Sequence, residues 1–262
     1  MLLPIGDDNQ NRRTTPYVVY IILVINIVMF VFFQQAVMTP EGQHFTNGYA
    51  VVPYEITNGI DLTEPMIVRP SGSDIGSRSG QRPIQIPEAP GPSPIYLTLL
   101  TAMFMHGSWL HIAGNMLYLW IFGDNVEDNF GHGSFLLFYI ICGLAASFAQ
   151  IFVDPVSPIP SLGASGAIAG VLGSYLIMFP RNRIRTILPF GFVFLFTPIE
   201  LPAVVVLGFW IVLQIFEQAR SVAGEAQGGV AYMAHIGGFA VGAVLCFLFR
   251  RRNNSETRYD YR

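Results

Sequence analysis

Six apolar stretches run along the chain at about 17–35, 109–123, 134–153, 165–179, 201–217 and 230–249, separated by polar or proline-rich connections. Runs of this length and hydropathy predict membrane helices. The first follows Arg12 and Arg13 and so has the flank of a signal peptide. Its apolar run from Tyr17 to Phe33 exceeds a signal core, however, and Gln34, Gln35 and Met38 supply no small-x-small cleavage site. The fourth stretch is short: Ser165 to Phe179 makes about 22 Å of helix, against roughly 30 Å of hydrocarbon. Its helix is therefore predicted to begin below the membrane surface, with PVSPIPSLG dipping in to meet it. Irregular backbone at that depth needs protein or a water-filled cavity around it. A cavity opening outward with Ser165 at its floor follows. No repeat of 20 to 50 residues is visible, which argues against a solenoid or an inverted-repeat transporter.

Arginine positions orient the segments. Arg12 and Arg13 precede the first, Arg181, Arg183 and Arg185 follow the fourth, and Arg250, Arg251 and Arg252 follow the sixth. Six crossings place all three clusters on one side, which makes both termini cytoplasmic. The predicted layout is a cytoplasmic segment at 1–16, a membrane domain at 17–250 and a cytoplasmic tail at 251–262. Within it, 36–96 is a long external loop holding nine prolines, with a mobile centre at SGSDIGSRSGQR and anchored ends. Residues 187–200 are apolar but broken by Pro189 and Pro198, and are expected to line the cytoplasmic interface.

Composition agrees with the pattern. With 52% hydrophobic and 12% charged residues, the chain cannot form one soluble core without leaving apolar surface exposed. The fold class expected is all-α, a polytopic six-helix membrane bundle. The net charge of −3 includes 14 arginines and no lysine, and nucleic acid is not an implied partner. Cys142 and Cys246 lie inside apolar segments and read as small buried hydrophobes, with neither a disulfide nor a metal assigned. No cofactor is expected.

Candidate chemistry comes from depth. His235 precedes Arg250 by 15 residues and Ser165 precedes Arg181 by 16, so a fixed rise per residue puts both at one height. Ala231, His235, Gly238 and Gly242 share one helix face, and Gly166, Gly170 and Gly173 offer a matching small face. Close backbone approach there would allow a Ser–His hydrogen bond, the arrangement that activates a serine nucleophile. On the second segment His111 and Asn115 project from one face at i, i+4. With the backbone N–H of Ser165 at a helix start, they are suitable donors for an oxyanion. Taken singly, the serine reads as helix-packing glue and the histidine as a structural or proton-relay group. The shared depth of Ser165 and His235, together with His111 and Asn115, argues for a site. Met103, Met105, Trp109 and Trp120 read as packing or belt residues, and His106 as a capping or interfacial histidine.

MHGSWLHIAGNMLYLWIFGDNVED, GASG and AHIGGFAVG, in that order on the second, fourth and sixth segments, resemble the rhomboid intramembrane serine proteases. The resemblance covers nearly all of the chain. It implies Ser165 as nucleophile, His235 as general base, and His111 and Asn115 as oxyanion-stabilising groups. It also implies structural roles for His106 and Glu127, and a gate and lid in segment five and residues 218–229. Two features depart from the family pattern. The stretch PIYLTLLTAMFMH lacks the Trp-Arg pair many members carry, and Ala169 stands where some place a tyrosine against the histidine. No aspartate presents itself as a third member, so a Ser–His dyad is expected.

Implied partners are single-pass membrane proteins as substrates, and lipid. The implied location is a bacterial inner membrane with the site opening outward. The alternative is a catalytically silent rhomboid-like binder of transmembrane helices. Metal and aspartyl protease chemistry lack their motifs: there is no His-Glu-x-x-His helix, and FGDN at 122–125 has no second intramembrane aspartate.

Overall fold

The computed structural model describes residues 2–8, 12–64, 66–68, 84–86, 89–187, 198–223 and 230–251. Each of the six apolar stretches is a helix. Tyr17–Val28 (α1) continues into a π-helical turn at Met29–Phe33. Short helices Pro40–Tyr49 (α2), Pro53–Asn58 (α3) and Thr98–Thr101 (α4) follow. Trp109–Phe130 (α5), His132–Val153 (α6), Ser165–Met178 (α7), Ala203–Val222 (α8) and Tyr232–Phe249 (α9) complete the bundle. Of these, α6, α8 and α9 are long and apolar enough to cross a membrane.

Helix α7 is the axis of the molecule. It is apolar on every side, and Gly166 through Tyr175 are all buried, as expected of a helix with no polar face. Its neighbours α5, α6, α8 and α9 surround it, and the core fills with Phe122, Phe135, Phe138, Tyr139, Leu172 and Tyr175. Outward positions stay apolar: Leu137 and Phe152 on α6, Val212 and Phe216 on α8, Val244 and Leu248 on α9 are exposed. An apolar exterior of this kind suits lipid, not water.

Small residues set the closest contact. A Cβ on Gly238 would fall on the Gly166 carbonyl, and one on Gly242 on the Gly170 carbonyl. Ser174 Oγ donates to the Gly242 carbonyl at 2.9 Å, tying α7 to α9 in the same stripe. This is the close approach that the two glycine faces predicted.

The arginine-rich end differs from the expectation in two ways. First, α5 runs seven residues past 123, because its acidic residues face protein. Asp124 pairs with Arg12 at 2.7 Å, Asp128 accepts from the Thr14 N–H at 2.6 Å, and Glu127 accepts from the N–H groups of Val18 and Val19 at 2.9 and 2.8 Å. Pro16 offers α1 no side-chain cap, so Glu127 does that work from a neighbouring helix. Second, the mostly helical chain also carries short strands. Leu3–Asp7 (β1), Arg183–Ile187 (β4) and Ile199–Pro202 (β5) form an antiparallel sheet in the order β1-β4-β5. Ile184 and Thr186 turn inward while Arg183 and Arg185 stay exposed, the period-two alternation of a half-buried strand. Residues 188–197 and 224–229, covering most of the expected interfacial stretch and part of the expected lid, lie outside the described residues.

Asp7 fastens this sheet to the bundle. Tyr175 donates its hydroxyl to Asp7 at 2.7 Å, and Asn125 donates its amide at 2.7 Å. Burial pushes the Asp7 carboxyl from 3.8 up to about 7; the two hydrogen bonds oppose the rise, while the charges of Asp124 and Asp8 add to it. The folded chain therefore holds a proton that the unfolded chain has already released above pH 4. Docking of β1 is strongest below that range, weakens as pH rises through 7, and is lost on the alkaline side. Hydrogen exchange corrected for intrinsic rates should show the β1 amides better protected at pH 5.5 than at pH 8.5. In Asp7→Asn the difference should vanish; protection independent of pH in the native chain would contradict the assignment.

The long loop is more structured than expected at its ends. It carries α2, α3 and an antiparallel pair, Met66–Val68 (β2) with Ile84–Ile86 (β3). Its expected mobile centre lies outside the described residues. Hydrogen bonds tie the start of the loop to the bundle: Val51 and Ser161 exchange N–H···O bonds at 2.9 and 2.7 Å, and Thr101 Oγ1 donates to the Tyr49 carbonyl at 2.8 Å.

Candidate active site

Helix α7 begins at Ser165, and the segment feeding it is irregular but paired. Besides the Val51–Ser161 exchange, Gly163 N–H donates to the Ala102 carbonyl at 2.9 Å. Gly163 has φ +133°, which a side chain would resist, and a Cβ there would lie 2.8 Å from His111 Nε2 and 3.6 Å from Ser165 Oγ. Glycine thus keeps open the spot that the serine and the His111 ring share.

Helix α9 begins at Tyr232, and its first turn presents His235. The Ser165 hydroxyl and His235 Nε2 are 2.8 Å apart, within hydrogen-bond reach. The equal heights read from the arginines thus correspond to a direct contact. Both groups line a cavity of about 540 Å³ that also takes in His111, Asn115 and Trp210.

His111 and Asn115 sit one turn apart on α5. Ser108 caps this helix, accepting from the His111 N–H at 3.2 Å. Gly107 N–H donates to His111 Nδ1 at 3.3 Å, so in the neutral ring the proton resides on Nε2, the nitrogen facing the serine side. The Asn115 amide Nδ2 is buried and has no hydrogen-bond partner among the described residues. A buried donor without an acceptor is costly, and it is the form an oxyanion donor takes before charge develops.

Among the described residues, His106 caps no helix with its ring. It is fully buried, its ring edge-on to His111 at 5.0 Å between centroids. Its backbone is clamped by Gln34, which accepts from the His106 N–H and donates to its carbonyl, both at 2.9 Å. Of the packing residues, Met103 and Met105 are buried, while Trp109 and Trp120 are more than half exposed, as belt residues would be.

Two site residues escaped the sequence reading. His235 Nδ1 meets Gln214 Oε1 at 2.8 Å, and the Trp210 ring lies 5.8 Å from the imidazole at 37°. Both come from α8, where Ala203, Leu207, Trp210 and Gln214 follow one another at spacings of 4, 3 and 4 along one face. Trp210 is thus the aromatic neighbour that Ala169 does not supply. The available signal was Gln214 itself, an amide inside an otherwise apolar run.

Comparison with known proteins gives the family. The chain is 30% identical over 175 residues to Rhomboid-like protein 11, chloroplastic, of Arabidopsis thaliana, covering 64% of this chain and 57% of that one. It is 45% identical over 92 residues to Rhomboid protease GluP of Bacillus subtilis, covering 34% and 18%. It is 30% identical over 154 residues to Rhomboid protein 1, mitochondrial, of Saccharomyces cerevisiae, covering 56% and 40%. The chain thus spans well under two thirds of each of these relatives. They come from a bacterium, a mitochondrion and a chloroplast, so they support an integral membrane protein and give no support to a bacterial inner membrane in particular. The rhomboid domain model matches residues 94–252, more than half of the chain and the part that holds α5 to α9; the protein belongs to the rhomboid family.

Proposed function

We propose that the protein is an intramembrane serine endopeptidase that cuts single-pass membrane proteins in or near their transmembrane segments. The observation that carries this reading is the 2.8 Å approach of Ser165 Oγ to His235 Nε2 in a cavity enclosed by apolar helices. A hydroxyl and an imidazole that only glued helices would not need a cavity bordered by an unpaired amide donor.

In this reading six helices cross the membrane, the arginine-rich end is cytoplasmic, and the cavity opens on the opposite face. A substrate helix unwinds locally, since intact helical hydrogen bonds shield its carbonyls. Ser165 Oγ attacks one carbonyl carbon while His235 Nε2 takes the hydroxyl proton. The oxyanion receives hydrogen bonds from Asn115 Nδ2, His111 Nε2–H and the Ser165 N–H. Collapse breaks the C–N bond as His235 returns the proton to the departing amine, and water then hydrolyses the acyl-serine by the same steps.

The test is labelling of the purified protein in detergent with a fluorophosphonate, alongside cleavage of a model single-pass substrate in proteoliposomes. Labelling and cleavage together support the protease. A folded protein that does neither overturns the protease reading in favour of a silent binder of transmembrane helices.

The oxyanion groups have a measurable share. Asn115→Ala should lower kcat by about 10²- to 10³-fold with little change in KM, because the donor acts on charge that appears only in the transition state. Its stability should be close to native, since Nδ2 has no partner to lose. An unchanged kcat would remove Asn115 from the mechanism.

A further inference from the structure

We propose that Gln214 is a positioning residue for His235, selecting the imidazole tautomer that leaves Nε2 free to accept the serine proton. The inference rests on the protease reading above and adds a third member to the expected dyad.

Both ring nitrogens of His235 are engaged, Nε2 with Ser165 and Nδ1 with Gln214 Oε1, each at 2.8 Å. A neutral imidazole carries one N–H and one lone pair. An amide oxygen can only accept, so the proton must sit on Nδ1. The lone pair then falls on Nε2 and the Ser165 hydroxyl donates to it, which is the productive direction. The opposite tautomer would donate from Nε2 to Ser165 and leave the serine unactivated.

Placement supports the assignment. Gln214 is buried on α8, among lipid-facing neighbours such as Val212, Ile215 and Phe216, where an amide is costly to keep. Its Oε1 accepts from His235. Trp210, one turn earlier, lies against the same ring and limits its rotation. Helix α8 thus supplies an aromatic wall and a polar stop to one imidazole.

The choice of amide over carboxylate has a physical reason. When His235 takes the serine proton, its Nδ1–H keeps donating to the same oxygen, so one contact serves both protonation states. A carboxylate would stabilise the imidazolium more strongly, but it would hold a bare charge in the bundle during the rest of the cycle.

The test uses the full chain in detergent with ¹⁵N-labelled histidine, the His235 resonances being identified by their loss in His235→Ala. Substrate-free protein at pH 8 should show His235 protonated at Nδ1 and bare at Nε2. Gln214→Met, similar in shape but without the acceptor, should shift the ring toward the other tautomer and lower kcat about tenfold or more, with KM nearly unchanged. Gln214→Glu, which restores an acceptor, should recover the Nδ1–H tautomer and most of the rate. A native ring protonated at Nε2, or a Gln214→Met protein with native tautomer and kcat, would overturn the proposal. Because the tautomer is read without substrate, a native protein that shows Nδ1–H yet neither labels nor cleaves would sink the protease reading and leave the positioning role standing.

Discussion

Turnover by Ser165→Ala should fall by about 10⁶-fold, effectively to background, and His235→Ala should fall as far. The reason for equal losses is that the two groups perform one step: the hydroxyl is a weak nucleophile without a base, and the base has nothing to activate without the hydroxyl. Their 2.8 Å contact makes them a unit, so the double variant should be no worse than either single one. Fluorophosphonate labelling should vanish in both. Neither change should unfold the protein, because Ser165→Ala removes only a hydroxyl at the edge of a cavity and leaves the α7–α9 packing intact. Single-turnover cleavage in proteoliposomes measures this directly. Retention of even one per cent of the native rate in Ser165→Ala would mean that another group is the nucleophile.

Gly242→Val is the second large effect, and it acts on the fold. A Cβ at Gly242 would overlap the Gly170 carbonyl, and no rotamer can relieve a clash with backbone. The helices must part, losing the bond from Ser174 to the Gly242 carbonyl and with it the spacing that brings His235, two turns earlier on α9, to Ser165. We expect a loss of about 3 kcal/mol or more in unfolding by SDS titration of mixed micelles, accompanied by a fall in cleavage rate. Gly208→Ala on α8 is the control: an added Cβ there meets nothing within 4 Å, so the helix should gain about 0.5–1 kcal/mol. Equal stability of Gly242→Val and native protein would show that α7 and α9 are not in backbone contact.

Much of the arrangement was legible in one dimension because helical rise is constant. Six apolar runs mark six helices, and distance from an arginine-rich end measures depth, so Ser165 and His235 could be matched before any packing was known. Glycine at spacings of three and four on both partners announced close approach. His111 and Asn115 could be paired from their i, i+4 spacing alone, on one face of a helix.

What failed to show has a common cause, the sign or direction of a side chain's surroundings. Asp124, Glu127 and Asp128 resembled the end of a membrane segment by their charge, yet they extend α5 because Arg12 and the first turns of α1 are there to receive them. The strand Arg183–Ile187 alternates correctly, but its partner Leu3–Asp7 lies at the far end of the chain, and sequence spacing carries no information about such a pairing. The three arginines near it were legible as charge and not as an edge of a sheet.

The sequence by itself determined the six apolar helices, the places of the serine and histidine along them, and the small faces that let them meet. Each depends only on local composition and on a rise fixed by backbone geometry. Only the tertiary structure decided what holds the histidine. Helix α8 is apolar around most of its circumference, so its pattern does not reveal which face turns inward, and an amide within it has no partner until the neighbouring helix is in place. Packing against α9 sets that rotation, and with it the contact from Gln214 to His235.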